Sequence, residues 1–190
     1  MYIEANQRSH VHKKRYTKDE LFALQPRLAE AHQQGKVKVK DDHAIVSIVK
    51  GMTFVLVELE SEEALSMVSL AGQSLSVEGL DQGWDETFIG TYFFARVGRS
   101  DDGVTKLRTR MIEGPLEDPA TGSAASDLAA YLSQTAEEGT KKFKYEIVQG
   151  VEMGRRSEIF IEVEMNEDKR VAQLFLEGSA VQVMEGRLTV

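Results

Sequence analysis

The sequence contains no cysteine, so disulfide bonds, zinc–thiolate centres and thiol catalysis are excluded for its 190 residues. It also lacks any apolar run that approaches the ~18 residues of a membrane-spanning helix. The first residues lack the apolar segment of a signal peptide. We therefore expect a cytoplasmic protein without a membrane partner.

The sequence has fewer basic than acidic residues: 23 lysines and arginines against 31 aspartates and glutamates, which gives a net charge of −8. A nucleic-acid partner is not expected, because phosphate binding requires clustered Lys and Arg. Hydrophobic residues make up 42% of the sequence and charged residues 28%, which is ordinary for a globular protein with its own core. The length fits one domain, or one and a fraction.

Residues 117–125 combine an acidic turn, a proline and a run of small side chains, EDPATGSAA. Apolar residues recur three and four positions apart in the stretch that follows, which is the periodicity of a helix. The pattern predicts a helix from Gly122 or Ser123 to about Gln134, with Thr121 or Ser123 as its cap.

The start of this helix is a candidate anion site. The first N–H groups of a helix have no partner within it, and the helix dipole adds positive charge there. Four small residues would let a carboxylate or phosphate approach the backbone closely, and we take them as substrate-binding candidates: Thr121, Gly122, Ser123 and Ala124. Asp118 lies beside them as a proton-handling or orienting group. An ordinary capped surface turn has the same composition, and the residues alone leave that alternative open.

The same segment resembles the signature of the PhzF family of phenazine-biosynthesis-like isomerases, whose two-domain fold is shared with diaminopimelate epimerase. Three further stretches are similar to family segments: residues 110–116, 149–157 and 178–186. Their order and spacing agree with the family, so the resemblance spans about residues 43–190. Arg156 stands where the family usually has proline, and this change loosens the loop because proline would fix φ.

The resemblance implies an α+β fold, with a mixed or antiparallel sheet wrapped around a central helix. It also implies isomerisation of a small carboxylated substrate by proton transfer, without a metal or organic cofactor, in a homodimer. Asp118 and Ser123 match the family positions that hold and protonate the substrate. The amides of Gly122 and Ser123 would bind the substrate carboxylate.

One departure affects the expected activity. Family members are commonly longer at the N-terminal side, where a Ser-Glu-Thr string supplies a catalytic glutamate and a Gly-His-Pro-Thr string a functional histidine. Neither string occurs in this sequence. We therefore expect that the N-terminal half of the family fold is largely missing, that residues 1–42 are a tail and helix left from the first half-domain, and that residues 43–190 form the C-terminal domain.

Three interpretations follow from this departure: an impaired isomerase, a non-catalytic anion-binding remnant, or part of a longer enzyme. Another acid could replace the missing base. The nearest candidates lie in the turn-rich stretch after residue 72, and no sequence motif supports any of them: Glu78, Asp81, Asp85 and Glu86.

The remaining patterns predict short helices and strands in mixed order, which favours α+β. Thr17 and Glu20 fit a capping box, and Pro26 is expected to kink or end the helix that they begin. Alternation of polar and apolar residues over 36–40 predicts a strand with one solvent-exposed face. A short helix is predicted from residue 61, and further strands at 43–49, 53–59, 87–97, 106–112, 142–148, 158–164, 170–176 and 179–183.

Residues 1–16 are polar and basic and show no sustained hydrophobic periodicity. We interpret them as a tail or as the remains of an earlier secondary-structure element. His10 and His12 in this segment could flank a metal ion. Two ligands need a third and a fourth, which the sequence does not offer nearby. The expectation is therefore a solvated polar tail and no metal site.

Overall fold

Ten strands and four helices make up the part of the chain that the computed structural model describes, residues 9–85, 87–136, 139–180 and 184–187. The strands are β1 (His10–Val11), β2 (Tyr16–Thr17), β3 (Asp42–Val49), β4 (Met52–Leu59), β5 (Phe88–Arg99), β6 (Thr105–Glu113), β7 (Leu116–Asp118), β8 (Lys142–Gln149), β9 (Ser157–Met165) and β10 (Val171–Gly178). The helices are α1 (Lys18–Leu24), α2 (Pro26–Gln33), α3 (Glu62–Ser66) and α4 (Gly122–Gln134).

The strands form one mixed sheet in the order β1-β3-β4-β5-β6-β8-β9-β10, with β2 paired to β3 and β7 paired to β6. Neighbours are antiparallel except for two parallel pairs, β4–β5 and β6–β8. A parallel pair requires a crossover connection, and α3 and α4 lie in these two crossovers. The expected α+β class with a mixed sheet is confirmed.

The sheet curls around α4. This helix packs against β3 and β4 on one side of the sheet order and against β8, β9 and β10 on the other. Because these two groups of strands lie toward opposite ends of the sheet, contact with both requires the sheet to bend around the helix. Most of α4 is buried, and small residues such as Ala124, Ala125 and Ala129 let the strands approach it closely. The expected central helix is confirmed.

The central strands separate two apolar cores. Successive side chains of a strand point to opposite faces. Phe54 and Leu56 of β4 therefore pack toward α4, whereas Val55 and Val57 pack in the second core, with Leu21 and other residues of α1 to α3. Because both faces of β4 are covered, its sequence is a nearly continuous apolar run. α4 lies on one face of the sheet, and the other three helices lie on the opposite face.

Residues 9–33 take part in the folded structure. The capping box of Thr17 and Glu20 is present, and Pro26 starts α2 as a separate helix, as the sequence predicts. β1 and β2 both pair with β3. His12 is buried, so the expectation of a solvated tail is wrong for this residue. The division of the chain at residue 42 stays a prediction.

Two predicted strands need correction or lie partly outside the described residues. Residues 36–40 form no strand, although Val37 and Val39 are buried in alternation. Backbone groups there bind side chains instead: the Val39 amide donates to His32 and the Lys38 amide to Glu60. Of the strand predicted at 179–183, residues 179 and 180 are not in a strand, and 181–183 are outside the described residues.

Within the described residues, no helix has the length and apolar character that crossing a bilayer requires.

Candidate functional site

The β6–β7 hairpin delivers the acidic turn to the start of α4. Asp118 is the last residue of β7 and lies opposite Met111 of β6. Gly114 in the hairpin turn has a positive φ of 52°, a conformation that glycine adopts without strain. Three residues separate Asp118 from Gly122, where α4 begins, so the turn has little freedom to move.

Arg110 and Glu117 hold this hairpin together as a buried ion pair. Nε and one terminal nitrogen of Arg110 donate to the two carboxylate oxygens of Glu117, each at 2.8 Å. The other terminal nitrogen donates to the carbonyls of Leu65 and Val68, at 2.9 and 2.6 Å. A two-point arginine–carboxylate pair fixes geometry as well as distance. The arginine therefore connects β6 and β7 to the end of α3 and to the residues that follow it.

The Asp118 carboxylate is anchored at both oxygens. Its Oδ2 accepts a hydrogen bond from the Thr121 hydroxyl at 2.7 Å, and its Oδ1 accepts from the Ala120 amide at 3.2 Å. Thr121 occupies the cap position of α4, but its side chain forms no capping hydrogen bond to the helix. The prediction that Thr121 or Ser123 caps α4 is wrong for Thr121, because its hydroxyl oxygen accepts from Gln149 and not from an amide of the helix.

Gln149 of β8 is the centre of the hydrogen-bond network around this turn. Its Nε2 donates to the Asp118 carbonyl at 2.7 Å and to the Thr121 hydroxyl oxygen at 2.9 Å. Its Oε1 accepts from the Tyr92 hydroxyl at 2.9 Å and from the Thr121 amide at 3.4 Å. A carbonyl can only accept, so the contact with Asp118 fixes which end of the Gln149 amide points toward it. Both donors and both acceptor positions of this buried amide are therefore used.

Tyr92 links the network to the sheet core. Its hydroxyl lies 3.0 Å from Thr109 Oγ1 on the neighbouring strand, and the whole ring is buried. Burial raises the pKa of Tyr92 above its ordinary value, so the hydroxyl stays protonated and can donate to Gln149. The sequence predicts a strand over residues 87–97, which contains Tyr92. That pattern gives no signal that one ring carries a polar link to the site.

The first three amides of α4, those of Gly122, Ser123 and Ala124, have no partner among the described residues. Gly122 and Ser123 are half-buried, whereas Ala124 is fully buried. Ala124 is therefore a core residue, and neither its side chain nor its backbone is exposed to a ligand. A pocket that encloses this end of the helix stays a prediction.

The glycine at the start of α4 has a packing reason. A Cβ at residue 122 would lie 2.8 Å from a methyl group of Leu176 on β10. The sequence attributed the lack of bulk to the approach of a ligand, and contact between helix and strand is sufficient to explain it. The five candidate residues do lie together around one turn: Asp118, Thr121, Gly122, Ser123 and Ala124.

The loop after β8 rests directly on the motif. Gly150 has a φ of +77°, and a Cβ there would lie 2.4 Å from the Arg155 carbonyl oxygen and 2.8 Å from that of Pro119. The residues that follow Gln149 therefore cover the proline of the acidic turn. Arg155 itself is exposed.

None of the four guessed substitute acids is placed at this turn by a described hydrogen bond. Asp81 pairs with His10 at 2.8 Å, and Glu86 is outside the described residues.

Residues 17–186 match the sequence model of the PhzC-PhzF family, described as phenazine biosynthesis-like proteins. The chain belongs to this family. Because the match includes residues 17–42, restriction of the family resemblance to residues 43–190 is not supported.

Two curated relatives are named as isomerases. Trans-2,3-dihydro-3-hydroxyanthranilate isomerase of Pseudomonas aeruginosa is 33% identical over 140 residues, which cover 72% of this chain and 45% of that enzyme. An uncharacterized isomerase of Mesorhizobium japonicum is 28% identical over 151 residues, which cover 79% of this chain and 49% of that protein. The chain spans about half the length of the curated relatives it matches.

Solved structures share the fold. A PhzF-family protein of Bacillus anthracis aligns with a TM-score of 0.68 and 14% identity, covering 100% of this chain and 60% of that one. A predicted epimerase of Pseudomonas aeruginosa aligns with a TM-score of 0.50 and 20% identity, covering 97% and 58%. The curled sheet around a helix is therefore a PhzF-like and epimerase-like architecture. The absence of the N-terminal half of the family fold stays a prediction.

Proposed function

We propose that this chain is an isomerase of the PhzF type, which moves a proton between two carbon atoms of a small carboxylated metabolite without a cofactor. The family membership and the isomerase names of two relatives support this reaction class. The observation that carries the proposal is the geometry of the acidic turn. A carboxylate held by Thr121 lies next to the unpartnered amides that begin α4.

Substrate binding is assigned to the first turn of α4. The amides of Gly122 and Ser123 would donate to the substrate carboxylate, and the dipole of α4 adds to the attraction. The strands that surround α4 fix these donors before the substrate arrives. Fixed donors stabilise the charge that develops during proton transfer better than water does, because they need no reorganisation.

Asp118 is assigned as the group that handles the proton, with Ser123 beside it as a substrate contact. Thr121 and Gln149 hold the turn that carries the Asp118 carboxylate, through its Oδ2 and its backbone carbonyl. Proton transfer requires the acid within hydrogen-bond reach of the reacting carbon. The hydroxyl and the amide therefore act on the reaction through the position of Asp118.

The proton must be removed from carbon before an acid can return one elsewhere. In the family that the chain resembles, a glutamate of a Ser-Glu-Thr string removes it, and this string does not occur in the sequence. We propose that the 190-residue chain binds a carboxylate ligand but does not exchange its C–H proton alone. A single general base contributes ~10²–10⁴ in rate.

The second candidate function is a non-catalytic anion-binding module, which the missing glutamate string favours. Such a module would bind its ligand at the same site at the start of α4. It would differ from the isomerase in that Asp118 transfers no proton to the ligand. Proton exchange that depends on Asp118 separates the two functions.

The experiment is solvent deuterium incorporation into trans-2,3-dihydro-3-hydroxyanthranilate, followed by mass spectrometry with the purified chain. We expect weak binding that Ser123→Phe abolishes, and exchange only after the N-terminal half of the Pseudomonas aeruginosa isomerase is added. Asp118→Asn should remove that restored exchange and keep the binding. Restored exchange that persists in Asp118→Asn contradicts the proposed role. Binding without restoration favours the anion-binding module, and exchange by the chain alone contradicts its impairment.

A further inference from the structure

Two histidines of the N-terminal segment share one face of the chain. His10 begins β1, and His12 follows it by two residues, so an extended backbone directs both rings to the same side. The amide of His12 continues the pairing toward β3 by donating to the Ile45 carbonyl at 2.9 Å. The His12 ring is buried and the His10 ring is half-buried. Their placement is therefore set by the sheet.

Asp81 brings a third ligand to the histidines from the crossover between α3 and β5. Its Oδ2 lies 2.8 Å from Nε2 of His10. One ligand atom from each of the three residues lies within 4.8 Å of the other two. The sequence argument against a metal was the lack of further ligands nearby, and the fold supplies one from a distant part of the chain.

A chain of hydroxyl groups fixes the tautomer of His12. Nε2 of His12 lies 2.9 Å from Ser47 Oγ, which lies 2.6 Å from Thr53 Oγ1, and Thr53 Oγ1 lies 2.9 Å from Thr87 Oγ1. The last hydroxyl donates to the Phe88 carbonyl at 3.1 Å. Each hydroxyl has one hydrogen and the carbonyl can only accept, so every donor in the chain points away from His12.

His12 therefore carries its proton on Nε2 and keeps a lone pair on Nδ1. In this structure the lone pair accepts a hydrogen bond from the Asp81 backbone amide at 3.3 Å, and a bound metal ion would replace that hydrogen bond. A ligating histidine usually has its other ring nitrogen fixed by a hydrogen bond of this kind. Ser47 gives His12 this support before any ligand is bound.

The His10 ring is held by an aromatic contact. It stacks on Trp84 with ring centroids 4.7 Å apart and an angle of 8° between the planes. Asp81 is also held, because its Oδ2 accepts from the Lys13 amide at 3.4 Å. The Lys50 ammonium group lies over the Trp84 ring, with Nζ 5.9 Å from the ring centroid.

We propose that His10, His12 and Asp81 form a binding site for a divalent transition-metal ion, with Zn²⁺ as the best match. Two imidazoles and one carboxylate are ligand types that Zn²⁺ takes, and a fourth position would remain for water. Tetrahedral bonds of about 2.1 Å put ligand atoms about 3.4 Å apart. The His10–Asp81 contact would open slightly, and the wider contacts, which reach 4.8 Å at most, would close by up to about 1.4 Å through side-chain rotation.

The metal would act on the fold away from the acidic turn. Ser9 beside His10 accepts a hydrogen bond from Gln134, the last residue of α4, at 3.1 Å. The cluster therefore lies at the opposite end of α4 from Gly122. Bound Zn²⁺ would tie β1 to the crossover that carries Asp81, so the expected consequence is stabilisation of this edge of the sheet.

The test is titration of the untagged, chelator-treated full chain with Zn²⁺ alone, by calorimetry and by competition with a coloured chelator. We expect one equivalent bound by the wild type. Asp81→Asn, which keeps the side-chain shape, and His12→Ala should each weaken binding by at least ~100-fold. Ser47→Ala should weaken it by about 10–100-fold, the usual effect of losing a support to a ligating histidine. The control His32→Ala, outside the cluster, should bind as the wild type does.

A second measurement keeps the result independent of folding defects. Saturating Zn²⁺ should raise the melting temperature of the wild type, and it should leave that of Asp81→Asn unchanged. Circular dichroism checks that each variant is folded. The proposal is overturned if the wild type binds less than stoichiometric Zn²⁺ at micromolar concentration. Equal binding by wild type and Asp81→Asn also overturns it.

Discussion

Gln149 donates a hydrogen bond to the backbone carbonyl of Asp118 at 2.7 Å, across two segments that are far apart in the sequence. The carboxylate that the motif supplies is therefore positioned by a residue of β8. The same amide reaches Thr121, which binds the Asp118 side chain. Backbone and side chain of the aspartate are thus held through one buried glutamine.

Gln149→Ala should loosen the acidic turn. It removes the side-chain donor to the Asp118 carbonyl, while the Tyr92 hydroxyl keeps Thr109 as a partner. An unsatisfied buried group costs about 1–3 kcal/mol. We expect a loss of that size in the free energy of unfolding, measured by urea denaturation, together with weaker carboxylate binding. Gln33→Ala is the control, because Gln33 is exposed at the end of α2. Unchanged stability and binding in Gln149→Ala would contradict the positioning role.

Asp127 should make the protein less stable as pH rises. The residue is fully buried in α4, and neither carboxylate oxygen has a hydrogen-bond partner in the described residues. Burial raises the pKa of Asp127 well above 3.8. Its contribution to stability is fully present below the unfolded pKa and is lost as pH rises through the folded pKa.

Asp127→Ala removes this buried acid, so the variant should gain about 1–3 kcal/mol over the wild type at pH 8 and less at pH 4. Denaturant unfolding at both pH values measures the difference. Asp101→Ala, in the exposed turn between β5 and β6, is the matched control. A gain that does not depend on pH would argue against a buried neutral acid.

His43 should act in the opposite direction. Its ring is buried, with Nε2 unpartnered among the described atoms, and burial lowers the pKa of His43 to about 4. The unfolded histidine takes up a proton near pH 6.5, whereas the folded one does not until about pH 4. Stability is therefore lost as pH falls from 6.5 to 4, by roughly 3 kcal/mol. His43→Leu should flatten this part of the pH–stability curve, and an unchanged slope would show that other groups cause it.

Gly150→Ala should disturb the acidic turn more than a comparable substitution in the same loop. Gly150 and Gly154 both have positive φ, at 77° and 69°, so alanine is strained at either position. Only at residue 150 would the added Cβ clash with the Pro119 and Arg155 carbonyls. We expect about 1–2 kcal/mol of destabilisation for Gly154→Ala, the ordinary left-handed strain, and clearly more for Gly150→Ala. Equal losses in unfolding experiments would show that contact with Pro119 is unimportant.

Self-association is expected near the motif. Three apolar side chains around it are exposed: Leu116, Val151 and Met153. Exposed apolar side chains that form a patch commonly bind a protein partner, and a symmetric pair is the commonest arrangement. Light scattering should give about twice the 21.2 kDa of the chain, and Leu116→Glu should reduce it to the single-chain mass. A wild type that scatters only as one chain at micromolar concentration contradicts this expectation.

Local patterns were sufficient to predict most of the elements. The box of Thr17 and Glu20, the break at Pro26 and the hairpin of β3 and β4 all depend on neighbours in the sequence. The predicted strand at residues 36–40 failed because its amides bind the side chains of His32 and Glu60, which alternation does not reveal. Alternation of apolar and polar residues indicates which side chains are buried. It does not show whether a neighbouring backbone is present to form a strand.

The start of α4 at the candidate site was predictable from the sequence, and the contacts around it were less so. Small residues after Asp118 indicate where α4 begins, and the family resemblance points to the same residues. The role of Gln149 and the link to Tyr92 depend on strands that meet only in the folded sheet. Asp81 joins the two histidines for the same reason, since its distance along the chain hides the cluster from any local motif.

Enclosure of α4 also has a kinetic consequence. The strands that flank it come from early and late parts of the chain, β3 at Asp42–Val49 and β10 at Val171–Gly178. Contacts between such distant segments form slowly, because loop-closure entropy is lost before the contact energy is gained. The amides at Gly122 and Ser123 are then fixed only when the sheet has closed around the helix. Recovery of carboxylate binding during refolding should follow the slowest phase, well after helix and hairpin signals have returned.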